Sequence, residues 1–358
     1  MYNIPELIIA FLISLVAALL ITPVVKRLAI KLNAVDKPDN NRKMHKGVRA
    51  SMGGLAIFIG CIAGLLYIQP QHEHLLGIII GAIIILVTGM LDDIYQLKPL
   101  MKLTGQIGAG LSVVLSGVII DKITLPFLGI IYFDNISYVI TILWIVAASN
   151  AINLIDGLDG LAAGVSAIAL TSIFIMAVMD YRLVVVYLTL ILIGSTVGFL
   201  FHNFYPAKIF MGDTGALFLG YAIAVVSILG LFKNIALFSF IIPIIVITIP
   251  IFDTILAIIR RIIRRQSIGT ADKEHIHYRL LKMGYSHRAS VLILYGFSAF
   301  FGLMAIVFNS ATLQISLFII AIFLIGVQII SELAGIVMNG QQPFLDGIRK
   351  VFGMKRSQ

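Results

Sequence analysis

The stretch ISYVITILWIVAASNAINLIDGLDGLAAGVSAIALTSIFIMAVM, residues 136–179, decides the fold. Its two ends, 136–150 and 161–179, are apolar runs free of charged side chains, close to the roughly 20 residues that cross a hydrocarbon core as a helix. Between them lies a polar interruption in which Asn150, Asn153, Asp156 and Asp159 recur at intervals of three. On a helix each such step falls back by about 60°, so the last three share a sector of about 120°. Gly157 and Gly160 allow a second backbone or a ligand to come close. Helix termination accounts for one Asn or Asp, but not for four on a stripe.

Similar apolar runs fall near 5–25, 51–69, 75–91, 103–120, 183–201, 215–232, 235–258, 289–308 and 313–331. The fold expected is an all-α polytopic transmembrane bundle of about eleven spans. Only 12% of the 358 residues are charged, about half the ~25% of a soluble domain, and the mean hydropathy of +1.05 excludes a soluble reading. The segment 121–135 is short and broken by Pro126 and Gly129, and reads as an interfacial hairpin. The N-terminal run lacks a basic leader and a small-residue cleavage site, so it reads as a retained span. The single cysteine, Cys61, sits in an apolar run, which leaves no disulfide framework.

Basic residues set the orientation. Eight lie between Lys26 and Arg49, eight between Arg260 and Arg288, and four between Arg349 and Arg356, with Lys98, Lys102 and Lys208 on the same side. Only Lys122, Arg182 and Lys233 of the 26 fall on the other. The N-terminus is therefore expected outside and the C-terminus in the cytoplasm. Residues 1–332 form one transmembrane catalytic domain in this reading, and 333–358 a cytoplasmic basic tail. The net charge of +9 is first an insertion signal; anionic lipid headgroups are a further partner, nucleic acid is not expected, and a homodimer is left open.

The same inner connections hold the other unusual polar residues. Asp92 and Asp93 end the third run, followed by Lys98 and Lys102. Adjacent carboxylates repel unless a cation compensates, and a lysine or a divalent metal would serve. Asp213 lies in a Gly-Asp-Thr-Gly turn, where helix capping is an equally good explanation. The last large inner loop combines arginines, Arg264 and Arg265 among them, with His275 and His277. Those histidines lack the i, i+4 spacing of a helical zinc site, and the loop suits a polyanion such as a diphosphate. Asp253, in the inner half of the ninth run between Pro250 and Arg260, reads equally as a structural partner or a catalytic group. Pro243 and Pro250 should kink that helix.

Carboxylates interleaved with cations fit Mg²⁺ and a phosphorylated substrate. Mg²⁺ takes carboxylate oxygens and shares its sphere with phosphate, and phosphoryl transfer relies on positioning and charge neutralisation. No Walker loop, GxGxxG or GxSxG motif stands in a suitable context, so the site must be assembled from several loops.

The set LDDIYQLKP, NAINLIDGLDG, PAKIFMGDTG and DKEHIHYRL, with VDKPDNNRKMHKGVRASMGG after the first run, resembles the polyprenyl-phosphate N-acetylhexosamine-1-phosphate transferases. The resemblance implies that undecaprenyl phosphate attacks the sugar-linked phosphate of a UDP-sugar, with Mg²⁺ or Mn²⁺ required, in a bacterial plasma membrane with the site facing the cytoplasm. It implies metal ligation by Asp213, with Asn153 and Asp92 beside it. Asp92 or Asp93 would meet the lipid phosphate, and Lys102 would neutralise phosphate. Asp156 and Asp159 would orient nucleotide or nucleophile, and Phe210 would stack on uracil. Asn150, His45, Lys46, Arg264, Arg265, His275 and His277 complete the substrate contacts. The His275-Ile276-His277-Tyr278 run is similar to the N-acetylglucosamine branch, which makes UDP-GlcNAc the expected donor and the linkage unit of wall teichoic acid a compatible product; members that transfer the muramoyl-pentapeptide carry three consecutive histidines. The rival from another class is a secondary transporter of an anionic substrate, for which Asp253 and the ninth-run prolines speak.

Overall fold

In hydrocarbon a backbone must satisfy its own hydrogen bonds, so long apolar runs fold as helices. The computed structural model describes residues 3–36, 49–125, 129–230, 241–263 and 275–333. Helix α1 (Ile4–Lys31) is followed by a short antiparallel pair, β1 (Val35–Asp36) and β2 (Arg49–Ala50). Next come α2 (Gly54–Ile68), α3 (Leu75–Tyr95) and α4 (Pro99–Leu115). A hairpin of β3 (Lys122–Leu125) and β4 (Gly129–Tyr132) stands where an interfacial hairpin was expected. Helices α5 (Ile136–Ile155), α6 (Leu161–Met179), α7 (Leu183–Asn203) and α8 (Gly212–Leu229) follow. The described chain ends with α9 (Ile241–Val246), α10 (Thr248–Ile263), α11 (Ile276–Lys282), α12 (His287–Asn309) and α13 (Leu313–Leu333).

Every expected apolar run carries a helix. Seven helices among the described residues are long and apolar enough to cross a membrane, and Gly54–Ile68, Thr248–Ile258 and Gln314–Ile329 are shorter apolar segments. The chain is therefore an all-α polytopic membrane protein. Helix α4 lies earlier than its expected 103–120. Pro99 presets its first turn, and it stops at Leu115 ahead of Gly117, whose φ is +98°. The ninth run divides at Ile247 into α9 and α10. Pro250 has no N–H to offer the Val246 carbonyl four residues back, so the ladder is interrupted there.

Burial follows position in the bundle. Helix α8 is buried continuously from Thr214 to Ile228, with α3, α5 and α2 packed around it. Helix α1 lies outside and buries only a narrow stripe that includes Ala10, Ser14, Ala18 and Thr22. These small residues meet glycines on α2 and α7: a Cβ on Gly60 would stand 2.8 Å from the Ser14 carbonyl oxygen, and one on Gly198 would overlap the Leu15 carbonyl. Small residues let membrane helices approach closely, since hydrocarbon supplies no hydrophobic drive between them. Cys61 is buried beside Ser195 Oγ, 3.0 Å away, and Trp144 donates to Ser227 Oγ at 3.2 Å, so both are core residues.

The antiparallel run of helices brings one set of ends together: the C-termini of α3, α5 and α7 and the N-termini of α2, α4, α6 and α8. The β1–β2 pair fixes the chain entering α2, and Phe210 N–H donates to the Ala50 carbonyl at 2.9 Å while Gly53 N–H donates to Phe210 O at 3.0 Å. Replacing Gly198 with Ala should lower the thermal midpoint of the detergent-solubilised protein, at a cost of about 1–3 kcal/mol for overpacking a backbone contact. Gly296, whose added Cβ meets nothing within 4 Å, should accept Ala without loss. Equal midpoints for the two variants would contradict the close packing of α1 on α7.

Candidate active site

Adjacent residues on a helix point about 100° apart, so Asp92 and Asp93 enter different surroundings. Asp92, 9% exposed, accepts Leu97 N–H at 2.8 Å, which closes the turn after α3, and pairs with Lys102 Nζ at 2.9 Å. Asp93 faces the start of α8. Its carboxylate accepts the Ser51 hydroxyl at 2.8 Å, the Asp213 and Thr214 N–H groups at 3.0 and 3.1 Å, and the Thr214 hydroxyl at 2.6 Å. The first amides of a helix lack internal partners and favour an anion. Asp93 thus supplies the α8 cap and fixes the turn that carries Asp213. The cation demanded by the acidic pair is Lys102 for Asp92, while a helix N-terminus serves Asp93.

Lys102 is the meeting point of three elements. Its Nζ, 2.9 Å from Asp92, also donates to Asp213 Oδ2 and lies 3.5 Å from Asn153 Oδ1. Asn153 Nδ2 donates to Asp213 Oδ1. An ammonium surrounded by two carboxylates and an amide oxygen marks a place built for positive charge. Hard oxygen donors are those that Mg²⁺ takes, with phosphate and water completing its sphere. Among the described residues no three Asp, Glu, His or Cys side chains converge as a metal cluster, so an ion here would draw on Asp92, Asp213 and the Asn153 amide.

The polar stripe does not continue as one helix. Helix α5 ends at Ile155, Asp156 caps it with ψ 56°, and Gly160 opens α6 at φ +80°. Its four residues consequently have four different environments. Asn150 exchanges two hydrogen bonds with Gln106, at 2.9 and 3.1 Å, and donates to Val146 O. Its amide is committed to joining α4 and α5, away from the substrate role expected of it. Asn153 reaches Asp213. The Asp156 carboxyl is pushed up to about 7 by burial, with the charges of Asp93 and Asp159 acting the same way. Asp159 pairs with Arg49 at 3.1 Å and accepts Ala207 N–H at 2.9 Å. The acidic stripe has no neighbouring cation in the sequence; the structure delivers one from 110 positions away.

Arg49 also lies over the Phe210 ring, 5.3 Å from its centroid, so one face of that ring carries a cation–π contact. His275 Nδ1 is 2.8 Å from Asp253 Oδ2, and its ring is parallel to His277 at 5.7 Å. His277 is 1% exposed, neither ring nitrogen has a hydrogen-bond partner among the described residues, and burial pushes it down to about 4. It is therefore neutral at pH 7 and packs beneath Gly157, where a Cβ would overlap its Nε2. The resemblance implied that His277 meets the sugar-diphosphate; the ring is buried against the Gly157 turn. His45, Lys46, Arg264, Arg265 and the tail 334–358 lie outside the described residues.

The structure thus joins Asp92, Lys102, Asn153 and Asp213 directly, places Asp156, Asp159 and Phe210 in adjoining turns, and adds Arg49, Ser51 and Thr214. None of these last three stands out in the sequence as a site residue; the GDTG turn and the RASMGG segment before α2 contain them, but neither stretch shows its partners.

A polytopic helical bundle with a carboxylate–ammonium–amide cluster at one end is a membrane protein whose polar site suits anionic ligands. Residues 75–231, the span from α3 through α8 that carries all four central side chains, match Glycosyl transferase family 4. The chain is 51% identical, over 95% of each chain, to a probable undecaprenyl-phosphate N-acetylglucosaminyl 1-phosphate transferase of Bacillus subtilis. It is 35% identical, over 83% of each, to a decaprenyl-phosphate N-acetylglucosaminephosphotransferase of Mycobacterium tuberculosis. A phospho-N-acetylmuramoyl-pentapeptide-transferase of Bacillus cytotoxicus is 34% identical over 62% of this chain and 73% of its own. This chain belongs to glycosyl transferase family 4.

The two carboxylates should separate by experiment. Asp93→Ala leaves four donors without their acceptor and should lower the thermal midpoint, at about 1–3 kcal/mol for a buried group left unpaired. Asp92→Asn should keep the midpoint near wild type and abolish turnover. The reverse pattern would contradict the assignment of Asp93 to the α8 cap.

Proposed function

We propose that the protein transfers N-acetylglucosamine-1-phosphate from UDP-GlcNAc to undecaprenyl phosphate, giving undecaprenyl-diphosphate-GlcNAc and UMP. The observation that carries this reading is the convergence of Asp92, Asn153 and Asp213 on Lys102, in a chain half identical to a relative that bears that activity in its name. A non-bridging oxygen of the lipid phosphate attacks the sugar-linked phosphorus, and the bond to the bridging oxygen of UMP breaks. A phosphate monoester has its second pKa at about 6 and is largely dianionic at pH 7, so the protein needs to hold charge more than remove a proton.

The chain's own residues divide that work. Lys102, already bonded to Asp92 and Asp213, is the ammonium that turns to phosphate oxygens when substrate arrives. Asp92, Asp213 and the Asn153 amide would hold Mg²⁺ or Mn²⁺, which when bound neutralises diphosphate charge. Asp93 holds the Asp213 turn through backbone amides, so the acceptor geometry is preset before substrate binds. Arg49, tied to Asp159 and lying on Phe210, orders the mouth where a nucleotide base would stack.

The reading includes a bacterial plasma membrane, eleven spans and a cytoplasmic site. The basic residues support it, since all but Lys122, Arg182 and Lys233 fall on the site's side of such a topology. A nucleotide-sugar made in the cytoplasm requires that side. For the muramoyl-pentapeptide donor, the single His275-Ile276-His277 pattern and the shorter span of similarity speak against it. The transporter reading relied on Asp253 and the ninth-run prolines, and Asp253 is buried against His275.

Purified protein supplied with undecaprenyl phosphate, UDP-GlcNAc and Mg²⁺ should release UMP. Asp213→Asn should reduce release by at least about a hundredfold, on the scale of losing a preorganised electrostatic group, with the protein still folded by size-exclusion chromatography. Absence of release from folded wild-type protein with any UDP-N-acetylhexosamine, or full activity of Asp213→Asn, would overturn the reading. Preferential turnover of UDP-MurNAc-pentapeptide would overturn the donor assignment.

A further inference from the structure

Asp253 has been given no part in the reaction, yet it is the most enclosed carboxylate described in detail above. It lies in α10, 2% exposed, and α10 packs on α5, the helix that carries Asn153. An ionisable group inside a membrane helix is costly unless it is paired. Asp253 uses both oxygens: Oδ2 meets His275 Nδ1 at 2.8 Å, and Oδ1 accepts the Ile276 N–H at 3.0 Å. One carboxylate therefore fixes both the ring of His275 and the backbone that follows it. With Asp253 as a carboxylate, the hydrogen on that 2.8 Å contact belongs to His275 Nδ1, and the hydrogen bond made by one ring nitrogen decides the role of the other. His275 Nε2 has no hydrogen-bond partner among the described residues.

The chain of contacts continues. The His275 ring is parallel to His277 within 1°. His277 lies against Gly157, between Asp156 and Leu158, and its other neighbour is the Tyr278 ring at 4.2 Å. The absence of a side chain at Gly157 is what admits the His277 ring. A carboxylate in a membrane helix is thus linked through two stacked imidazoles to the turn between α5 and α6.

We propose that Asp253 is a positioning residue for the transfer reaction: it sets His275 in the Nδ1–H tautomer, leaving the Nε2 lone pair to accept a hydroxyl or amide hydrogen of the nucleotide-sugar, and through the His275–His277 stack it holds the Gly157 turn in place. This rests on the nucleotide-sugar reading above. Asp253 touches no substrate and acts only through His275. Asparagine in its place offers one oxygen where two donors wait, so either the ring or the Ile276 amide loses its acceptor, and the tautomer is no longer imposed. The loss resembles that of a partner behind a metal-ligating histidine, about ten- to a hundredfold in affinity or activity.

Two measurements test it on the full chain in lipid nanodiscs. Nitrogen-15 NMR of histidine-labelled protein, with the His275 signals identified by their loss in His275→Asn, should show Nδ1 protonated and Nε2 not in the wild type. An Nε2–H tautomer would overturn the proposal, even if no Asp253 variant folds. In UMP-release kinetics, Asp253→Asn should raise the KM for UDP-GlcNAc about tenfold or more while leaving the KM for undecaprenyl phosphate unchanged. The double variant Asp253→Asn/His275→Asn should be no worse than His275→Asn alone, because residues acting in series do not add. Losses that multiply, or an unchanged KM for UDP-GlcNAc, would mark Asp253 as a structural staple and overturn the proposal. A wild type that shows the Nδ1–H tautomer but releases no UMP would instead fail the functional reading.

Discussion

The ammonium of Lys102 is the constraint on which the site end of this protein depends. It stands among the oxygens of Asp92, Asp213 and Asn153, groups from α3, α8 and α5 that would otherwise repel or go unpaired. Two carboxylates brought together at the end of a membrane bundle need a cation, and removing the charge at the centre of such a cluster costs far more than an exposed ion pair is worth. Everything around it arranges these three helix ends. Asp93 caps α8 so that Asp213 faces Lys102, the Gln106–Asn150 amide pair sets α4 against α5, and the glycine contacts of α2 on α8 allow the approach.

An arrangement that holds a lysine among oxygens is also one that exchanges it. In the proposed reaction a divalent ion would take these oxygens, and the ammonium would gain a phosphate as its new anion. Lys102 would then be the placeholder in the free protein and a phosphate partner in the complex.

The helical class and the placing of the helices were legible in the sequence because hydropathy records them directly: a run of ~20 apolar residues has few other ways to fold. Asp92, Asn153 and Asp213 stood out as polar residues at the ends of apolar runs, and it was the motif resemblance that assigned them to one site. Pairing was not legible. Nothing local joins Arg49 to Asp159, Ser51 to Asp93 or Asp253 to His275, because those contacts arise from the packing of distant helices. Regular spacing misled in one place. The three-residue rhythm from Asn150 to Asp159 looks like one helical face, but α5 stops at Ile155. Asn150 is thereby left inside the bundle with Gln106, and Asp156 and Asp159 pass into the turn. His277 reads with its arginine-rich loop as a diphosphate contact; its burial under the Gly157 turn is not visible in the sequence.

The central claim is that the oxygens around Lys102 form a cation site. Electron paramagnetic resonance of Mn²⁺ titrated into the purified protein tests it without any substrate or turnover. The account predicts a bound Mn²⁺ population in wild type, competed by Mg²⁺, that is lost in Asp213→Asn and in Asp92→Asn and retained in Asp253→Asn. Undiminished Mn²⁺ binding in both Asp213→Asn and Asp92→Asn would contradict it.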